Sequence, residues 1–167
     1  MAAQQHHDKH FFTHANATYL CIYTDGSLLD VKTEAGIHAS VVDETIHESS
    51  YYLGTEAEVF AAVLYGIIKA TEIATKLSAD ENFTDTWIFC DNQSAVCRMK
   101  DKHLLPGQEY VLKTHRSAEI LTSQAINTHI YWVPGHVSVK GNERADTLAK
   151  EGTKGKRLPH DVTTSMT

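Results

Sequence analysis

Long apolar runs are missing from this chain. No stretch reaches 18 consecutive apolar residues, so nothing in it reads as a membrane span, and no membrane contact is expected. The opening residues, MAAQQHHDKHFF, lack the basic-then-apolar order of a signal peptide, so an intracellular protein, nuclear or cytoplasmic, is expected. Cysteine is scarce. Cys21, Cys90 and Cys97 are odd in number and show no CxxC spacing, which suits a reducing compartment. Positive charge is short as well: 15 Lys and Arg stand against 21 Asp and Glu, for a net charge of −6. That balance argues against a general nucleic-acid-binding protein, which would be basic. It leaves room for an enzyme on nucleic acid, because carboxylates that hold divalent cations count as negative only until the metal binds. No P-loop, Ser/His/Asp set, zinc-ligand spacing, internal repeat or second-domain linker is present.

What is there is an ordinary globular composition, 42% apolar and 22% charged over 167 residues, long enough for one domain with a sizeable core. Residues 1–17 carry His6, His7, His10 and His14 without a strong period, and read as a flexible His-rich tail. Residues 154–167, rich in Lys, Gly and Thr, read as a second tail, which leaves 18–153 as the domain.

Within it, Tyr19–Thr24 is an apolar strand of the kind covered on both faces. Gly36–Val42 and Thr45–Leu53 follow as strands with a short turn around Asp43–Glu44, an antiparallel start to a sheet. From Glu56 to about Leu77 the period becomes helical, with Val59, Val63 and Ile67 beside Phe60, Leu64 and Ile68 on one face. Thr86–Cys90 is a short strand, Asn92–Met99 a short helix, Leu105-Pro106-Gly107 a break, and Gln108–Ser123 a further helix. Thr128–Val133 and Val139–Glu151 complete the order as strand and amphipathic helix. Strands separated by helices favour parallel addition, so a mixed α/β domain with helices on both faces is expected.

Four stretches place a carboxylate where stability alone gives little reason for one: YLCIYTDGS, TEAEVFAAV, IFCDNQSAV and WVPGHVSVKGNERADTLAKEG. Asp25 closes the first strand ahead of a turn at Gly26, and an Asx-type turn would account for it. Glu58 sits three residues after Thr55, so a capping box competes with function, and Glu56 is a rival acid. Asp91 ends a strand before a helix, where the helix dipole would favour it. Asp146, within the last helix beside Glu143, Arg144 and Lys150, could be a solvated surface residue. Each is weak alone. Together, with the first and fourth strands parallel neighbours, Asp25 and Asp91 would emerge side by side beyond the strand ends, where α/β sheets bind ligands. Four converging carboxylates would repel one another unless two Mg²⁺ balanced them, and hard cations prefer oxygen ligands. Metal pairs roughly 3.5–4 Å apart are the common device for in-line displacement at a phosphodiester.

These motifs resemble ribonuclease H of type 1, and look closest to the ribonuclease H domains of fungal and other non-LTR retroelements. Thr24-Asp25-Gly26-Ser27, Glu58-Val59-Phe60-Ala61, Asp91-Asn92-Gln93, Gly135-His136 and Asn142-Glu143-Arg144-Ala145-Asp146 carry the resemblance, over about Tyr19 to Gly152. It implies a five-stranded mixed sheet of order 3-2-1-4-5. It also implies endonucleolytic hydrolysis of the RNA strand of an RNA–DNA hybrid by a two-metal-ion mechanism with Mg²⁺, Mn²⁺ being a possible substitute, leaving 5′-phosphate and 3′-hydroxyl ends. Asp25, Glu58, Asp91 and Asp146 would be the metal ligands, and His136 would assist proton traffic or product release. Gly26, Ser27 and Gln93 occupy positions that read the RNA 2′-hydroxyl. A monomer in a reverse transcriptase context is the implied setting.

The family often has Asn just before the catalytic Glu, where this chain has Gly54-Thr55-Glu56-Ala57, and some members have a Trp-containing basic protrusion after the second helix. Here that region offers Arg98, Lys100, Lys102, Lys113 and Arg116 against Asp101 and Glu109, without Trp. Lys150, Lys154, Lys156 and Arg157 could add phosphate contacts, and weak, salt-sensitive binding is expected. An inactive retroelement-derived module that binds hybrids or a protein is the alternative, and a polynucleotidyl transferase or exonuclease a third.

Overall fold

The structure, a computed structural model, describes residues 18–101, 103 and 107–152. Both expected tails, Lys102, Leu104 and Thr153, and Leu105 and Pro106 of the expected break lie outside the described residues. The elements are β1 (Tyr19–Leu29), β2 (Lys32–Val41), β3 (Glu44–Gly54), α1 (Val59–Leu77), β4 (Asp85–Cys90), α2 (Gln93–Lys100), α3 (Gln108–Ser123), β5 (Asn127–Trp132) and α4 (Lys140–Lys150). The strands form one sheet of order β3-β2-β1-β4-β5. The β1–β2 and β2–β3 pairs are antiparallel, and β1–β4 and β4–β5 parallel, as the strand–helix alternation requires. Among the described residues no helix is long and apolar enough to cross a membrane.

β1 departs from its expected form. It does not stop at Asp25 but runs four residues further, and the chain reverses at Asp30 and Val31, both with positive φ. Gly26 therefore makes no turn; it makes room. A Cβ there would lie 2.8 Å from the backbone nitrogen of Val63, so the first turns of α1 rest directly on the strand. β2 correspondingly begins at Lys32 rather than Gly36, pairing Leu29 with Lys32. The β2–β3 turn falls on Val42 and Asp43, one residue earlier than expected, again with both residues at positive φ as tight hairpins demand.

α1 is buried nearly all round, not along one stripe: Ala61 through Ile68 are all covered. It lies between the sheet and α3, and small residues let it approach both. α4 covers the opposite face over β1 and β2. Its seat is Gly36, where a Cβ would sit 2.1 Å from the Ala145 carbonyl oxygen and 2.3 Å from the Ala149 nitrogen. Tyr23 and Phe89, stacked at 4.9 Å, pack there with Val133, Val139 and Ala145. Helices thus occupy both faces, and Gly26 on β1 and Gly36, facing Asp25 on β2, bring the helices bearing Glu58 and Asp146 hard against the sheet around Asp25.

Candidate active site

Sheet register assembles the first pair of acids. Thr24 faces Cys90 in the parallel β1–β4 ladder, so Asp25 and Asp91 are the next residues along on adjacent strands. Asp25 is only 8% exposed, and the Gly26 N–H donates to its Oδ1 at 2.7 Å. Burial pushes its carboxyl up to about 7, the Asp91 charge adds to that, and the Gly26 N–H opposes it. Asp146 raises it further, both by charge and through a carboxyl–carboxyl hydrogen bond. Three acids from β1, the end of β4 and α4 therefore meet in one place.

Asp91 is held from several sides. Trp132 donates its indole N–H to the Asp91 carbonyl at 3.1 Å, and the Asn142 amide lies 3.5 Å from Oδ2. The loop after β5 approaches so closely that a Cβ on Gly135 would stand 2.9 Å from the same oxygen. Asp146 is half-buried, and Lys150, one turn on, donates to its Oδ2 at 2.6 Å. Arg144 points away to form a fork on Glu48 with two 2.7 Å bonds, which fastens α4 to β3. That fork, helped by His38, holds the Glu48 carboxyl down at about 2.

Glu58 is not one of the charges acting on Asp25. It is the N-cap of α1, in extended conformation, exposed, with no capping hydrogen bond from its side chain. The competing capping box is absent: Thr55 lies outside the helix, and Glu58 occupies the cap position itself rather than the third helical one. His136 is exposed on the loop after β5, at φ 55°. Ser27 is half-buried beside Gly26 on β1. Gln93 opens α2 and lines, with Phe60, Ser94, Cys97 and Arg98, an open groove of about 440 Å³.

Two expectations about basic residues change. Arg98 turns inward, 9% exposed, donating to the Asp101 carbonyl at 2.8 Å and to Gln108 Oε1 at 3.0 Å, so it is a brace between α2 and α3 rather than a phosphate contact. Lys150 is occupied by Asp146. Lys100, Lys113 and Arg116 remain exposed, and Lys154, Lys156 and Arg157 lie outside the described residues.

Sequence reasoning quoted Asn142 and Trp132 within motifs but gave them no role, and passed over Glu48. Asn142 had a signal, since it stands one helical turn before Asp146 on the same face. Glu48 had none: its partner Arg144 is 96 residues away.

The donor set fits a hard cation. It is all carboxylate oxygen, and burial with the charges of Asp91 and Asp146 raises the Asp25 carboxyl to about 7, a cost that a bound cation would offset. Among the described residues, however, no three His, Cys, Asp or Glu side chains are arranged to hold a metal ion, so the acids converge without forming a finished cage.

The family model for RNase H matches residues 17–154. The chain belongs to the RNase H family. As a ribonuclease H it is a hydrolase. Among solved structures it is similar to RNase H1 of the halophilic archaeon Halobacterium salinarum, at 24% identity and a TM-score of 0.62, covering 81% of this chain and 98% of that one. It is similar to LC11-RNase H1 in complex with an RNA/DNA hybrid at 25% identity and a TM-score of 0.58, with 81% and 96% covered. A foamy viral protease–reverse transcriptase in complex with an RNA/DNA hybrid shares the fold at 17% identity and a TM-score of 0.62; the match spans 82% of this RNase H and 20% of that longer chain. No curated protein matches the sequence.

Proposed function

We propose that this RNase H is an endonuclease that hydrolyses the RNA strand of RNA–DNA hybrids, leaving 5′-phosphate and 3′-hydroxyl ends. The observation that carries the reading is the convergence of Asp25, Asp91 and Asp146, where burial together with the neighbouring acids lifts the Asp25 carboxyl to about 7. The hybrid complexes of LC11-RNase H1 and of the foamy viral protein support the choice of substrate.

Asp25, Asp91 and Asp146, joined by Glu58, would hold a pair of divalent cations, Mg²⁺ with Mn²⁺ as substitute, which when bound supply an activated water and stabilise the leaving oxygen. The Gly26 N–H holds the Asp25 carboxylate in place, and Asn142 and Trp132 hold Asp91. Lys150 keeps Asp146 partly neutralised through Oδ2. His136, exposed to solvent, would move a proton between water and the reacting phosphate or ease product release. Gln93 and the Gly26–Ser27 backbone would contact the RNA sugar edge, reading the 2′-hydroxyl. A monomeric domain in a reverse transcriptase context, 18–153 with flexible tails, is part of the same proposal.

The test is a labelled RNA–DNA hybrid incubated with Mg²⁺ beside RNA and DNA duplex controls. Cutting of the RNA strand of the hybrid alone is the expected result. Binding without cutting at any Mg²⁺ or Mn²⁺ concentration would make this an inactive hybrid-binding module, and cutting of DNA duplex would assign it other chemistry.

A further inference from the structure

Glu58 differs from Asp25 and Asp146 in being placed by a loop rather than by a strand or the body of a helix, while Asp91 directly follows β4 and is held by Trp132 and Asn142. The chain leaves β3 at Gly54, itself at φ 108°, and enters α1 at Val59. The first backbone bond of that helix uses the Glu58 carbonyl, which accepts from Ala62. The Ala57 carbonyl precedes the helix and finds no partner in it, yet Ala57 is only 9% exposed. A buried carbonyl of this kind needs a donor.

Thr33 supplies it. Its side chain is fully buried on β2, and its hydroxyl donates to the Ala57 carbonyl across 24 residues of sequence. The β2–β3 register slips between Thr33 and Glu34, with Thr33 facing Gly54, the last residue of β3. The irregularity lies where β2 meets the start of the loop. Burial alone does not explain the bond, since the hydroxyls of Thr86 and Thr114 are equally buried and have no partner among the described residues.

We infer that Thr33 is the positioning residue for Glu58: its hydroxyl clamps the peptide immediately before that acid and so sets where its carboxylate meets the cation site. This rests on the metal-dependent cleavage proposed above. The clamp acts on the fourth ligand alone, because Asp25 is fixed by β1, Asp91 by its place directly after β4 with the Trp132 and Asn142 contacts, and Asp146 by α4.

Thr33→Val, which keeps the shape and removes the donor, and Thr33→Ser, which keeps the donor, separate the clamp from simple packing. Hybrid cleavage is followed against Mg²⁺ concentration, and the rise in melting temperature on adding Mn²⁺ is measured without substrate. Thr33→Val should lower kcat on the order of tenfold, as a small misplacement of a reacting group does, with KM for hybrid unchanged. It should also raise the Mg²⁺ needed for half-maximal rate and shrink the Mn²⁺-induced rise, while Thr33→Ser restores both. In a Glu58→Gln background, Thr33→Val should leave the Mn²⁺-induced rise unaltered, because both changes act through one group. A further drop in that background, a loss confined to KM, or a Thr33→Val protein that responds to metal as wild type does would overturn the inference. Should Thr33→Val not fold, Thr33→Ala carries the same comparison. A wild type that leaves hybrid uncut overturns the proposed function and this inference together; a wild type that cuts while Thr33→Val equals it overturns this inference alone.

Discussion

Replacing Asp25 by asparagine removes a carboxylate that the fold holds against its own burial and against two neighbouring acids. The asparagine side chain would keep an oxygen for the Gly26 N–H, so the local hydrogen bond survives. A carboxyl moved from 3.8 to about 7 costs the folded state up to about 4 kcal/mol above neutrality, at about 1.4 kcal/mol per tenfold change in proton affinity. The sign follows from proton counts. Between pH 4 and 7 the folded protein keeps a proton that the unfolded chain has lost, so wild-type stability falls as pH rises through that window. Below pH 4 both states are protonated and the penalty vanishes. Asparagine never ionises, so the variant should match wild type near pH 4 and exceed it by up to about 4 kcal/mol at pH 8. The cost of burying the asparagine amide makes that figure an upper limit. Urea unfolding with a chelator present, at pH 4, 6 and 8, measures the difference, and hybrid cleavage by the same variant should be abolished. A variant less stable than wild type at pH 8, or a difference that ignores pH, would refute the electrostatic account.

Gly26→Ala should be destabilising by about 1–3 kcal/mol or more, since its methyl would meet the Val63 backbone nitrogen at 2.8 Å as well as the Val63 Cγ2 at 2.7 Å; thermal unfolding checks this. Glu48→Gln removes the Arg144 fork. Because Glu48 titrates below its ordinary value, the contribution lost is present above about pH 4.5 and fades as pH falls toward 2, and exposure limits it to about 1 kcal/mol. Denaturation at pH 7 and pH 2.5 compares the two. Glu58→Gln should cut the cleavage rate far more than Glu56→Gln; the reverse order would move the ligand two residues along.

The sheet was legible because each signal was local. The apolar run Tyr19–Thr24, the hairpin strands and the helical period after Glu56 each needed only neighbours in sequence. The acid pairing of Asp25 with Asp91 was equally legible, once parallel addition of β4 beside β1 was inferred. What misled were residues with two physical uses. Asp25-Gly26 has the chemistry of a turn, yet here glycine serves the close approach of α1, a contact made with Val63 far along the chain. Thr55-x-x-Glu58 has the chemistry of a capping box beside that of a ligand, and only the structure separates the two: the helix starts at Val59, with Glu58 at the cap position making no side-chain capping bond. Arg98 read as surface charge because its partners, the Asp101 carbonyl and Gln108, become partners only when α2 packs near α3.

The central claim is that acids from distant segments share one site built to take divalent cations. Its most direct measurement is the titration of the Asp25 side-chain carbon by NMR, first with a chelator and then with Mg²⁺. The account predicts a midpoint near 7 without metal and a midpoint displaced well to the acid side once Mg²⁺ is present. An ordinary carboxylate midpoint near about 4 under both conditions would contradict it.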